Sequence, residues 1–285
     1  MVDRELYQLH EHPGLAGPVL VIGLDGWIDA GMAALRARSE LLSQLDSHLI
    51  ASFDTDVLLD YRARRPIMSI VDGINQGLRW PTIEMRAAAD RFGNDILLLV
   101  GAEPDSHWNS FSQAVVDLAL EFGVELVVDL GAYPIATPHT RPVRVVSTAT
   151  NPELASRVGF EPGRLDVPAT VAAAIEIRCA EVGLPAVGLW AQVPDYAAAM
   201  PYPLATIALL EQLALVGDLV IRTGGLADEA QTTRRKLDEL AERDPRQANY
   251  LHELETKADA RAKSADALPS GDELAAKFED YLRDH

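Results

Sequence analysis

The chain has 285 residues, 48% of them apolar, with 43 acids against 25 Lys and Arg and a formal charge of −18. That balance argues against a nucleic-acid surface, because phosphate contacts need clustered Lys and Arg, and it reads first as a solubility feature. The length fits one large domain with an appendage, and the apolar share is enough for a substantial core. Cys179 is the sole cysteine, so no intrachain disulfide forms; its apolar helical setting predicts a buried, inert thiol. Met1-Val2-Asp3-Arg4-Glu5 lacks the basic and apolar regions of a signal peptide, and no apolar run has the length of a membrane span. A cytoplasmic protein without membrane contact is expected.

Short apolar runs alternate with amphipathic stretches. Val19 to Leu24 reads as a buried strand, and Leu24-Asp25-Gly26-Trp27-Ile28-Asp29-Ala30-Gly31 as the loop that leads into a helix at Met32 to Leu45. A strand follows at Leu49 to Phe53. Pro66 to Ala89 breaks the alternation: Ile67 to Val71 and Thr82 to Arg86, around Gly- and Asn-rich turns, predict an inserted antiparallel hairpin. Next come a strand at Ile96 to Val100 and a helix at Trp108 to Phe122, with Phe111, Val115, Leu118 and Phe122 on one face. Ser106 or Asp105 is its expected N-cap and Gly123 its stop. Val124 to Leu130 and Ala186 to Val193 read as strands, and Ala169 to Val182 as a helix closed by Gly183. Strands rich in Val, Leu and Ile without strict alternation are covered on both faces. The fold class is therefore α/β, a three-layer α/β/α sandwich with a mostly parallel sheet.

After Thr223-Gly224-Gly225 the composition changes. Ala227 to Asp244, Pro245 to Lys263 and Asp272 to Leu282 read as polar helices with a thin apolar stripe. The expected division is a core over residues 1–223, with the hairpin near 66–89, and a helical subdomain over 224–285 able to act as a lid.

In a parallel sheet the strand-to-loop junctions meet at one edge, where ligands bind. The junctions here carry Asp25 and Asp29; Asp54 and Asp56; Glu103 and Asp105; and His139, Thr140 and Arg141. Carboxylates held close raise one another's pKa, which prepares groups for acid–base work. Each acid also has a structural reading, since Asp29 is placed to cap its helix and Asp54 to solvate a loop. Trp27 and Trp108 read as packing residues or as walls of a pocket, and Gly26, between Asp25 and Trp27, belongs to the same candidate ligand cleft. That loop is not G-x-G-x-x-G, and neither G-x-x-x-x-G-K-[ST] nor G-x-S-x-G occurs in the chain. Asp25 and Asp29 would oppose a phosphate at the helix start. His10 and His12 lack a third metal ligand, so no metal and no cofactor are expected. Arg62, Arg64 and Arg65 read as a solvated turn, an anion clamp or an intersubunit bridge.

The loop at Asp25 to Gly31, Phe53-Asp54-Thr55-Asp56 with Asp60 to Pro66, Gly101-Ala102-Glu103-Pro104 with Trp108, and Pro138-His139-Thr140-Arg141-Pro142 together resemble the actinobacterial branch of the proteasome assembly chaperone 2 family. The resemblance implies a core like that of purine nucleoside phosphorylases and a hairpin used in oligomerisation. It also implies a C-terminal helical segment near a ligand cleft, and a homo-oligomer, with a trimer expected. Eukaryotic and archaeal relatives build or bind proteasomes, but their hydrophobic-Tyr-X tails are not matched by Tyr281-Leu282-Arg283-Asp284-His285. A shared core does not carry a reaction with it.

Two readings follow. The first is a non-enzymatic binding or assembly protein that forms homo-oligomers and engages a protein partner of unknown identity. The second is an enzyme or small-molecule binder at an acidic strand-end cleft, for a nucleoside-like or amino-bearing ligand. There Asp25, Asp29, Asp54 and Glu103 would bind or exchange protons, and His139 and Arg141 would hold an anionic part.

Overall fold

The computed structural model describes residues 6–266. The chain divides into two compact units. One holds the residues up to Ile135 together with Val143–Thr233; the other holds Ala136–Pro142 together with residues from Arg234 onward. The helix expected at Asp272 to Leu282, and the chain end from Tyr281, lie outside the described residues.

The first unit begins with β1 (Tyr7–Leu9), β2 (Val19–Asp25), α1 (Ala33–Gln44), β3 (His48–Phe53) and the single turn α2 (Thr55–Leu58). It continues through β4 (Ile67–Val71), β5 (Ile74–Arg79), β6 (Ile83–Ala89), β7 (Asp95–Ala102), α3 (Trp108–Glu121) and β8 (Leu126–Ile135). After the short segment belonging to the second unit come β9 (Val145–Ala149), α4 (Pro152–Val158), α5 (Val171–Val182), β10 (Ala186–Pro194) and α6 (Pro203–Gly217). α7 (Ala227–Arg243) crosses the boundary between the units, and α8 (Pro245–Asp266) belongs to the second.

Among the described residues the main sheet has eight strands, in the order β1-β3-β6-β7-β2-β8-β10-β9. Its centre, β7-β2-β8-β10, is parallel, and antiparallel strands close both sides. Strand side chains alternate between faces. Leu20, Ile22, Leu97, Leu99 and Val127 thus share one buried cluster with Phe111 and Val115 of α3 and Ile175 and Cys179 of α5. Val21 and Leu98 lie instead beside Leu41 of α1, and α1 packs on α6. Each Leu or Ile buried in this way contributes about 1.5–3 kcal/mol. This is the expected α/β/α arrangement. No helix among the described residues is long and apolar enough to cross a membrane.

Two local expectations change, and one helix is added. The hairpin is β4 with β5, turning at Asp72-Gly73, while β6 leaves it to pair with β3 and β7 in the main sheet. The apolar alternation of β6, with Ile83, Met85 and Ala87 buried, is what commits it to the core. Neither Asp105 nor Ser106 caps α3. The chain enters that helix through a left-handed turn at His107 (φ 61°); Asp105 accepts the Asp60 N–H, and the Ser106 hydroxyl donates to Val57 O. The added helix is α6, which gives no helical signal because its sequence is apolar on nearly every face and has no amphipathic period. It buries Leu209, Leu210 and Leu213.

Gly31 is the residue of the first loop with least freedom to change. It sits at φ 67°, its N–H donates to Ala198 O, and its carbonyl accepts from Tyr202 N. An added Cβ would lie 2.6 Å from Tyr202 Cβ. Gly31→Ala is therefore expected to cost about 2 kcal/mol or more, read as a lower urea midpoint.

Candidate functional site

The register of the central strands opens a cavity. β2 pairs with β7 along its whole length, through Asp25↔Ala102, but with β8 only as far as Ile22↔Asp129. Beyond that point β2 and β8 separate, and they meet again only at a bridge between Asp29 and Ala132. Between them lies a cavity of about 210 Å³. It stands at a topological switch: the chain leaving β2 goes through α1 to β3 on one side, and the chain leaving β8 goes to β9 and β10 on the other. Such crevices at the carboxyl ends of strands are the usual ligand positions in open α/β sheets.

Asp25, Gly26, Asp29 and Glu103 line this cavity, as the first loop and the third junction predict. Three of their carboxylates already have partners. Asp25 pairs with Arg38 at 2.7 Å, and the same guanidinium donates to Gly23 O. Asp29 accepts the N–H groups of Ala34 and Leu35 at the start of α1. Glu103 is buried and accepts Val171 N–H at the start of α5, at 2.8 Å. Burial pushes both Asp29 and Glu103 above the ordinary carboxylate range, and the N–H groups they accept pull them back.

Other expected residues stand apart from the cavity. Asp54 caps α2 by accepting Asp56 N–H, and its strand lies three strand spacings from β2, roughly 14 Å. Trp27 is 57% exposed. Trp108 donates its indole N–H to Pro104 O and packs on the core. Arg62 pairs with Asp60 and Arg64 with Asp105, as a solvated turn would. The Cys179 thiol is buried, and burial together with the nearby Glu176 pushes it up to about 12. That is the inert thiol expected from its helix.

His139, Thr140 and Arg141 belong to the second unit, where each is tied to a helix. His139 Nε2 lies 3.1 Å from Asp238 of α7. The Thr140 hydroxyl donates to Glu255 of α8 at 2.6 Å, and Arg141 makes a two-pronged pair with Asp259 at 2.7 and 2.8 Å. Two-pronged pairs fix orientation as well as charge. This trio therefore ties the segment Ala136–Pro142 to α7 and α8. Arg141→Ala should leave α8 opening more readily, seen as faster amide exchange over residues 245–263.

The residue that sequence reasoning passed over is Asp129. It is the last β8 residue paired with β2, at the floor of the split, on the same face as Val127. Burial, then the Glu176 carboxylate of α5, then Glu103 push its carboxyl up to about 7; Leu130 N–H opposes them. The available signal was one charge inside the apolar run Leu126 to Leu130. Thr170 and Trp190 also line the cavity, and Thr170 Oγ1 and Trp190 Nε1 are buried atoms without a hydrogen-bond partner. Buried polar atoms are normally paired.

A model of the PAC2 family matches residues 23–241. The chain belongs to the PAC2 family. Among solved structures it is similar to a protein of unknown function from Corynebacterium glutamicum ATCC 13032, with 33% identity and a TM-score of 0.85 over 91% of this chain and 99% of that one. A Mycobacterium tuberculosis protein of unknown function has 37% identity and a TM-score of 0.82, covering 92% and 91%. A proteasome-assembly chaperone homologue from M. tuberculosis has 33% identity and a TM-score of 0.76, covering 82% and 99%. No curated protein matches the sequence.

The raised Asp129 carboxyl makes a prediction about stability. Its folded value lies above its unfolded one, so between about pH 4 and pH 7 the folded state holds a proton that the unfolded state has lost. Stability from this group therefore falls as pH rises through that window. Asp129→Asn, which mimics the protonated form, should lose less stability than wild type when denaturation at pH 5 and pH 8 is compared.

Proposed function

We propose that this chain is a non-enzymatic assembly protein of the assembly-chaperone kind, working as a homo-oligomer, a trimer, that engages a protein partner. The observation that carries the reading is the β4–β5 hairpin. Every residue of both strands is exposed, although they carry Ile67, Met68, Ile70, Val71, Ile74 and Leu78. Ile74 alone is 63% exposed. Contiguous apolar surface of this kind marks an interaction site, and a two-stranded ribbon is marginal in water unless something covers it. The occupant we assign is the same surface on further copies of the chain. Family membership and the likeness to the mycobacterial proteasome-assembly chaperone homologue support the assembly role.

Light scattering on the purified chain tests this directly. A mass near three times the 31.0 kDa of one chain is expected, and Ile70→Asp with Ile74→Asp should reduce it to one. A wild-type monomer at micromolar concentration would refute the oligomer. Capture under mild salt should retrieve one protein in fixed stoichiometry; recovery of none counts against the assembly role.

A further inference from the structure

The cavity between β2 and β8 leads to a second function, independent of the hairpin. Its chemistry follows from which of its polar groups are already engaged. Two helix N-termini, those of α1 and α5, open beside it, and in many α/β proteins such ends receive a phosphate or carboxylate. Here both are filled by the protein's own anions, Asp29 and Glu103. The one guanidinium in the lining, Arg38, is neutralised by Asp25. An anionic ligand would meet four lining carboxyl groups (Asp25, Asp29, Glu103 and Asp129) and no uncommitted cation.

What remains uncommitted is one acid, one hydroxyl and the indole N–H of Trp190. Asp129 has Leu130 N–H and no side-chain donor, and Thr170 Oγ1 has no partner. The Asp129 carboxylate and the Thr170 hydroxyl oxygen accept hydrogen bonds, so the complement of that pair is a group with several N–H donors and a positive charge, while the Trp190 N–H is a donor. Among the described residues no group of three or more His, Cys, Asp or Glu is placed to hold a metal ion, which favours an organic cation. Ile28, Leu35 and the Trp190 indole give the lining an apolar part. The volume, about 210 Å³, is below the roughly 300–1,000 Å³ of sites for drug-sized ligands, so the molecule is compact.

We propose that this cavity binds a compact organic amine as its ammonium ion, with the Asp129 carboxylate as counter-charge, Thr170 Oγ1 as a second acceptor and an apolar stem against Trp190. This goes beyond the assembly reading and does not depend on it. Asp129 faces Glu176 from α5 and Glu103 after β7, and shares the lining with Asp25, Asp29 and Arg38. In the empty cavity those acids favour the protonated form; a bound ammonium ion reverses that and expels the proton. Binding is then coupled to pH.

Isothermal titration calorimetry of the full chain with benzylamine tests the proposal, with benzyl alcohol and benzoate as neutral and anionic counterparts. One benzylamine per chain is expected. Affinity should rise about tenfold from pH 6 to pH 8 as Asp129 loses its proton, with proton release visible in the buffer dependence of the heat. Asp129→Asn should weaken binding about tenfold or more. If that variant does not fold, Thr170→Val carries the test: it removes a hydroxyl without a protein partner, so the fold should persist while amine affinity falls about threefold. The proposal is overturned if benzylamine does not bind at pH 8, if benzoate binds as well, or if the variant that folds leaves affinity unchanged. Because the hairpin is untouched, the mass by light scattering should be the same in these variants. A failed titration therefore leaves the assembly reading standing, and a monomeric wild type leaves this one standing.

Discussion

The site depends on one inequality of pairing at the centre of the sheet. β2 holds β7 to its last residue but releases β8 after Ile22↔Asp129. Had both ladders run the full length, backbone would fill the edge and Asp129 would need a partner in a dry interior. Because they part, a strand whose residues around Asp129 are Val and Leu can carry one carboxyl group at the bottom of a cleft. The bridge from Asp29 to Ala132 closes the far side. Gly31, pinned by Ala198 and Tyr202, fixes the loop between β2 and α1.

The same loop explains why the fold's usual anion positions are not used as such. Asp29 and Glu103 satisfy backbone N–H groups that would otherwise point at a ligand. Carboxylates at helix N-termini are favourable electrostatically and cap orphan donors, so both acids have structural work that needs no substrate. The result is a cavity whose wall carboxylates are paired and whose floor carboxyl has no side-chain donor. On the same unit, the β4–β5 ribbon exposes its apolar residues to solvent. Cavity and ribbon pose different chemical demands, one for a donor-rich cation and one for another apolar surface.

Much of the core was legible from the chain. Runs such as Val19 to Leu24 and Ile96 to Val100 are too apolar for a sheet with a wet face, and Phe111, Val115 and Leu118 recur at helical spacing. The loop acids could be ranked as caps from position alone, and Asp29 fits that reading through Ala34 and Leu35. Other features depend on three-dimensional pairing. The place of β6 in the main sheet depends on distant partners in β3, such as Ala51 for Met85, and α6 has no polar face to give it a period. Along the chain Asp129 is one residue of an apolar strand, and its importance comes from where β8 loses its neighbour. Register is a property of two strands, and one strand's sequence does not report it. His139, Thr140 and Arg141 looked like ligand groups because their partners, Asp238, Glu255 and Asp259, lie about a hundred residues further along.

The parting of β2 and β8 leaves an acid at the cavity floor, under-solvated and close to other carboxyl groups. The most direct test is a carbon-13 NMR titration of the Asp129 carboxyl group in the ligand-free chain, assigned by comparison with Asp129→Asn. The expected midpoint is about 7, far above that of an ordinary aspartate. A midpoint near 4 would contradict it, because Asp129 would then be solvated or paired and the cavity floor would be already satisfied.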